Sequence, residues 1–222
     1  MSVLTELPPQ FSLDEVLALA HEIYGFEGTL TVLESERDQN VRLTEAGGQS
    51  WVIKIANGAE DQQALDFQAE LLSHVFAIDP ALPLPHIRKT LSGERLGRCQ
   101  GVDGRYHFVR AVSWLPGKPF ALDKKTKRQF DGLGETLGRL TLALQGFAHA
   151  GAIRDFDWDL NQAGRSRARL QFIDDPFRRE IITYFLDRFD SGVAAQLKRC
   201  RAQVIHADAN NYNVFVDETH DG

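Results

Sequence analysis

Apolar and polar positions change their period part-way along the chain. Leu13, Val16, Leu17 and Ala20 recur at helical spacing between Ser12, a residue suited to cap a helix N-terminus, and Tyr24. Residues 29–33, 40–44 and 51–56 then alternate as three short strands, the last two joined by Gly47-Gly48, whose backbone freedom suits a hairpin turn. Helical spacing returns over 61–78 through Leu65, Leu72, Val75 and Phe76, and 84–90 and 107–114 read as two further strands closed by Pro116-Gly117. Beyond that point helices dominate. Phe130, Leu133, Leu137, Leu140 and Leu144 form one stripe over 126–147, and 175–197 repeats the pattern less cleanly. A β-rich segment (residues 1–113) thus precedes an α-rich one (114–222), which predicts an α+β chain of two lobes.

Composition narrows the partners. With 43% hydrophobic and 25% charged residues the chain is of ordinary globular make-up, and a net charge of -6 argues against a nucleic-acid or anionic-membrane surface. Any bound phosphate must meet a local cluster of donors. Neither a signal-like N-terminus nor an apolar run of membrane-spanning length occurs, so the expected compartment is the cytoplasm. The two cysteines, Cys99 and Cys200, lack zinc-site spacing and read as free thiols.

The most specific string is Ile205-His206-Ala207-Asp208-Ala209-Asn210-Asn211-Tyr212-Asn213, followed by apolar Val214-Phe215-Val216. Its H-x-D-x-x-x-x-N spacing is that of a kinase catalytic loop, where the aspartate takes the acceptor hydroxyl proton and the asparagine holds a magnesium ion. A plain polar turn has the same composition. In Trp51-Val52-Ile53-Lys54-Ile55-Ala56, Lys54 sits on the third strand, where kinases keep a phosphate-binding lysine, and Glu70 in the following helix is its natural ion-pair partner. A surface lysine and a solvated glutamate fit the same letters. The turn Glu34-Ser35-Glu36-Arg37-Asp38-Gln39-Asn40 is no glycine-rich loop, and no P-loop motif occurs, yet Ser35 and Arg37 can offer donors to phosphate oxygens. Arg154-Asp155-Phe156-Asp157-Trp158-Asp159-Leu160 sets carboxylates and rings where a cationic amine could bind by charge and cation-π contact. Asp157 or Asp159 could equally cap a short helix.

In this order, S-E-R-D-Q-N, V-I-K-I-A, V-S-W-L-P-G-K-P-F, R-D-F-D-W-D-L and V-I-H-A-D-A-N-N-Y-N-V-F-V resemble the aminoglycoside phosphotransferase and choline kinase superfamily. Within it they are similar to hydroxylysine kinase and to the kinase domains fused to class III aminotransferases. The resemblance implies a protein-kinase-like fold with nucleotide between the lobes and a linker at Ala111, Ser113 and Leu115 on the base. It gives Lys54 the α/β-phosphates, Glu70 the grip on Lys54, Asp208 the role of catalytic base and Asn213 that of Mg2+ ligand. Asp155, Asp157, Trp158 and Asp159 would face the acceptor. The implied reaction moves the γ-phosphate of ATP or GTP to the hydroxyl of a small amine-bearing acceptor, hydroxylysine first, with a fused or separate aminotransferase as a partner. Two departures stand out. Ala207 replaces the Gly or Asn of many relatives, and Val214–Val216 is followed by Asp217-Glu218-Thr219-His220-Asp221-Gly222 rather than by a second strand with Asp-Phe-Gly, for which Asp217 and Asp221 are poor substitutes.

Three expectations follow from that ending: the 222-residue chain is inactive alone, a non-catalytic nucleotide-binding module is the alternative reading, and an unpaired strand edge promotes association. A metal hydrolase built on His206 and Asp208 would need more histidines than His21, His74, His86, His107, His149 and His220 supply singly. Gel filtration tests the association: self-associated material is expected, and a clean monomer would contradict it.

Overall fold

The computed structural model describes residues 8–101, 104–122, 125–153 and 159–217. Helix α1 (Leu13–Tyr24) begins with a capping box in which the Ser12 side chain accepts from Glu15 N and Glu15 reaches back to Ser12 N, and it ends on left-handed Gly25. Strands β1 (Thr29–Leu33), β2 (Gln39–Thr44) and β3 (Ser50–Ile55) follow as an antiparallel meander. The expected hairpin turn is formed, with Gly48 at φ 85°. Helix α2 (Gln62–Ile78), capped by Asp61, leads to β4 (Ile87–Arg88), β5 (Gly97–Gln100) and β6 (Tyr106–Ser113). The sheet order is β1-β2-β3-β6-β4, with β5 also paired to β6.

The strand expected over 84–90 is cut to two residues because Pro83 and Pro85 have no N–H to give a ladder. Strand β5, within Arg95–Gln100, was not expected; its Gly97 sits where a Cβ would meet Ile23. Beyond β6, the two-residue β7 (Lys118–Pro119) precedes α3 (Lys127–Ala143), which stops short of 147 as Gly146 turns left-handed. Helix α4 (Pro176–Arg188) runs into a π stretch, Phe189–Val193, and then α5 (Ala194–Leu197), so the pattern over 175–197 is three segments rather than one helix. Strand β8 (Phe215–Val216) pairs antiparallel with β7.

The chain forms two compact units, one running to Ala152 and resuming at Val204, the other Ile153–Gln203. This division differs from the boundary at 113/114, where strands give way to helices. In the first unit one face of the sheet packs on α1: Val16, Ala20, Val41, Leu43, Ile53, Ile55, Val109 and Ala111 have no exposed surface. Each large aliphatic among them contributes about 2 kcal/mol by leaving water. The Tyr24 hydroxyl crosses this core to donate to Val109 O at 2.9 Å, and burial raises its pKa. A second cluster, Val75, Leu82, Leu140, Ala143 and Leu144, joins α2 to α3 and takes in Val204. The second unit holds α4 and α5 behind a 3₁₀ segment, Leu160–Phe172, whose N-cap is Asp159.

Both cysteines are free, as expected, and burial lifts the thiol of Cys99 to about 11. No described helix is long and apolar enough to cross a membrane.

Candidate active site

The H-x-D-x-x-x-x-N string forms a tight loop closed by its own side chains. Asn213 Nδ2 donates to Asp208 Oδ2 at 2.8 Å and to the Asp208 carbonyl at 3.0 Å, and Asn210 Nδ2 donates to Asp208 Oδ1 at 2.8 Å. Asn210 Oδ1 in turn accepts from the backbone N–H of Tyr212 and of Asn213. Both carboxylate oxygens of Asp208 are thereby aimed, while the residue stays exposed. Asn213 spends its amide nitrogen on Asp208 and keeps Oδ1 as a hard oxygen ligand. His206 Nδ1 accepts from Asp208 N at 3.3 Å.

Two backbone features fix this loop. Ala207 sits at φ 60°, the one described non-glycine residue in the left-handed region. Gly or Asn would sit there with less strain, whereas the Ala207 Cβ crowds its own carbonyl, at a cost of about 1 kcal/mol. The loop is also fastened to the Trp114-Leu115-Pro116-Gly117-Lys118-Pro119-Phe120 segment. Phe120 N donates to Val214 O at 2.8 Å and Ala121 N to Asn211 O at 2.7 Å, beside the β7–β8 pair. Gly117, at φ 108°, approaches the Val216 carbonyl so closely that any Cβ would overlap it. Two strings far apart in sequence are thus one unit.

Lys54 lies on the sheet face away from the α1 core. Burial holds its pKa below the ordinary 10.5, the Arg110 charge adds to the depression, and Asp38 opposes it. The expected Lys54–Glu70 ion pair is not formed. Glu70 instead pairs with Arg95 at 3.4 Å and with His149 at 3.8 Å, and Asp66, one helical turn earlier, pairs with the same two groups at 3.6 and 3.4 Å. The reason is helical geometry. The α2 residue that faces the sheet is Gln68, which accepts from Arg110 Nη1 at 2.6 Å, and a residue two positions on points about 200° away. Asp66, Glu70 and His149 are also the one described trio with metal-ligand spacing, but Arg95 already meets both carboxylates. His206 belongs to no such trio. His74 and His107 are engaged with the carbonyls of Ala143 and Ala56, so the hydrolase ligand set does not assemble among the described residues.

Ser35 and Arg37 are exposed on the β1–β2 turn, with Ser35 and Asp38 lining an open groove of about 560 Å³ beside Pro8–Ser12. Ala111 is enclosed, with its side chain in the core and strands paired on both edges, so it has nothing to offer a nucleobase. Ser113 holds His86 through N and Oγ, and half-buried Leu115 lies just past the strand. Asp159 caps the 3₁₀ segment by accepting from Asn161 N at 3.0 Å, the capping alternative raised above. Asp155, Asp157 and Trp158 lie outside the described residues. Asp38, Gln68, Arg110 and Gly117 were not anticipated. Register alone could have exposed Arg110, since alternation over 107–114 puts it in phase with Lys54.

The model of the phosphotransferase enzyme family matches residues 29–222, from β1 through the H-x-D-x-x-x-x-N loop. The chain belongs to that family. Similar curated proteins include the hydroxylysine kinases of Mus musculus, 25% identical over 94% of this chain and 60% of its relative, and of Danio rerio, 22% identical over 95% and 62%. The chain therefore spans about three fifths of the length of these relatives. Among solved structures, a microcompartment-associated aminopropanol kinase superposes with a TM-score of 0.62 at 17% identity, covering 91% of this chain and 63% of that one. Amicoumacin kinase does so with 0.58 at 16% identity, covering 86% and 55%. These likenesses agree with the α+β, kinase-like fold read from the sequence.

Two variants probe the site. Ala207→Gly relieves the left-handed strain and raises stability by about 0.5–1 kcal/mol, read from the denaturant midpoint. Lys54→Met removes a desolvated charge facing a like charge, and gains about 1 kcal/mol near neutral pH. Because the folded-state pKa of Lys54 is depressed, its penalty is full below that value and fades as pH rises toward 10.5. The stability difference between Lys54→Met and the parent should therefore shrink with rising pH in melting curves.

Proposed function

We propose that the chain is the nucleotide-binding and catalytic-loop portion of a small-molecule kinase. It moves the γ-phosphate of ATP or GTP to the hydroxyl of an amine-bearing alcohol, with hydroxylysine the first acceptor to test. The observation that carries this reading is the Asp208 carboxylate clamped by Asn210 and Asn213 on a loop tied to β7. The hydroxylysine kinase relatives support the acceptor class, and the aminopropanol kinase neighbour acts on another amino alcohol.

In this reading the acceptor hydroxyl donates to Asp208, which fixes the oxygen in line with the γ-phosphorus. As the O–P bond forms and the bond to the nucleoside diphosphate breaks, the hydroxyl proton passes to the Asp208 carboxylate. Lys54 neutralises charge on the non-transferred phosphates. The hard Oδ1 of Asn213 would hold a Mg2+ ion, which when bound would offset phosphate charge. Asp155, Asp157, Trp158 and Asp159 remain the proposed acceptor contacts. A nucleoside triphosphate co-substrate suits a cytoplasmic setting.

The test is a coupled assay of nucleoside diphosphate release, at the protein's full coding length, with hydroxylysine and either ATP or GTP. Turnover is expected, and Asp208→Asn should lower kcat by about 10²–10⁴ with a smaller change in KM for nucleotide. Absence of turnover with either nucleotide rejects hydroxylysine as acceptor. A nucleotide-dependent rise in melting temperature with no product from a panel of amino alcohols would leave the non-catalytic binding module as the correct reading.

A further inference from the structure

The sheet register sets Asn40, Lys54 and Arg110 in one row across β2, β3 and β6, Asn40 opposite Lys54 and Lys54 opposite Arg110. Two cations directly opposite one another in a sheet repel, and here water screens neither well. The Arg110 side chain is 12% exposed, and its nearest carboxylate is Asp38 at 3.7 Å, itself 17% exposed. Burial depresses the guanidinium's pKa, an effect opposed by Asp38 and then by Glu60. Asp38 is the one acid acting on both cations. Asn40, in the same row, keeps a buried Oδ1 with no hydrogen-bond partner.

An arrangement that costs folding stability and holds two cations side by side has a use when a polyanion lies across them. Arg110 is built for this. Gln68 takes one donor of Nη1 and Asp38 faces Nη2, while the fork of five N–H donors leaves others for phosphate oxygens. Its position is set from two elements at once, by Gln68 on α2 and by Asp38 on the β1–β2 turn. Asp38 is itself anchored, accepting from the backbone N–H of buried Asn57 at 3.3 Å.

We propose that Arg110 is a second phosphate-binding cation, which with Lys54 forms a two-cation seat for adjacent phosphoryl groups of the co-substrate, and that Gln68 and Asp38 are its positioning residues. This deepens the kinase reading and rests on it for the identity of the polyanion. The seat selects triphosphate over nucleoside, and α2 reaches the phosphates through Gln68 and Arg110 rather than through Glu70.

The test uses the 222-residue chain with three probes: fluorescent methylanthraniloyl-ATP and -GTP, the unphosphorylated nucleosides, and inorganic tripolyphosphate followed by thermal shift. Arg110→Gln should weaken triphosphate binding about 10–100-fold, as expected for lost charged hydrogen bonds, and leave nucleoside binding within about twofold. Arg110→Lys, which keeps charge without the fork, should fall between. Melting temperature of Arg110→Gln should be equal to or above that of the parent, since a repelled buried charge is gone; a large drop would mark Arg110 as structural and overturn the proposal. Triphosphate binding by the parent that Arg110→Gln retains within twofold overturns the seat and leaves the kinase reading intact. If the parent binds no triphosphate but is stabilised by tripolyphosphate through Arg110, the seat stands and the kinase reading falls. No response of the parent to either probe overturns both.

Discussion

Period-two alternation in β2, β3 and β6 is the constraint on which the rest of the protein depends. The alternation that buries Val41, Ile53, Ile55, Val109 and Ala111 against α1 puts Asn40, Lys54 and Arg110 on the opposite face, in register. A slip by one residue would turn the cations into the aliphatic core and the aliphatics out of it, so the hydrophobic core fixes the polar row at no additional cost in sequence. Stability and site chemistry are two faces of one pairing. The core face gains enough by burial to hold the other face in an unfavourable electrostatic arrangement.

The H-x-D-x-x-x-x-N loop obeys a different logic. It has no core of its own, and its residues are mostly exposed. Its shape comes from internal amide-to-carboxylate bonds and from backbone bonds to Phe120 and Ala121. Gly117 is what permits that attachment, because any side chain there would push β8 away from β7. The loop tolerates a left-handed alanine because these bonds over-determine it, a common way for strain to persist at a functional site.

Much of this was legible in the sequence. The meander, the Gly47-Gly48 turn, α1 with its Ser12 cap, α2, and the H-x-D-x-x-x-x-N loop each follow from local pattern, and local pattern is what the structure keeps. What escaped reading depends on distance in three dimensions. Strand β5 has four residues, too few to show a period, and the prolines at 83 and 85 cut β4 to two. The resemblance put Ala111 in a linker on the base, but a strand pairs on each side of it. The Lys54–Glu70 pair was read from kinase order and from the place of Glu70 beside Leu71 and Leu72, and neither says which face of α2 meets the sheet.

That face can be argued from the helix itself. Asp66 and Glu70 are one turn apart, and two carboxylates at that spacing repel unless cations sit between them. Arg95, from the segment before β5, fills that role, and the His149 imidazole, after α3, lies against both carboxylates on the same side of α2. Gly151 tightens the same contact, since a Cβ there would strike the α2 backbone at Gln63 and the side chain of Phe67. With Asp66 and Glu70 held outward, Gln68 must point to the sheet, and an amide rather than a carboxylate meets Arg110. Gln68 positions the guanidinium without adding a second carboxylate to that of Asp38 at 3.7 Å. A glutamate at position 68 would have placed one there and quenched more of the charge that an incoming anion meets.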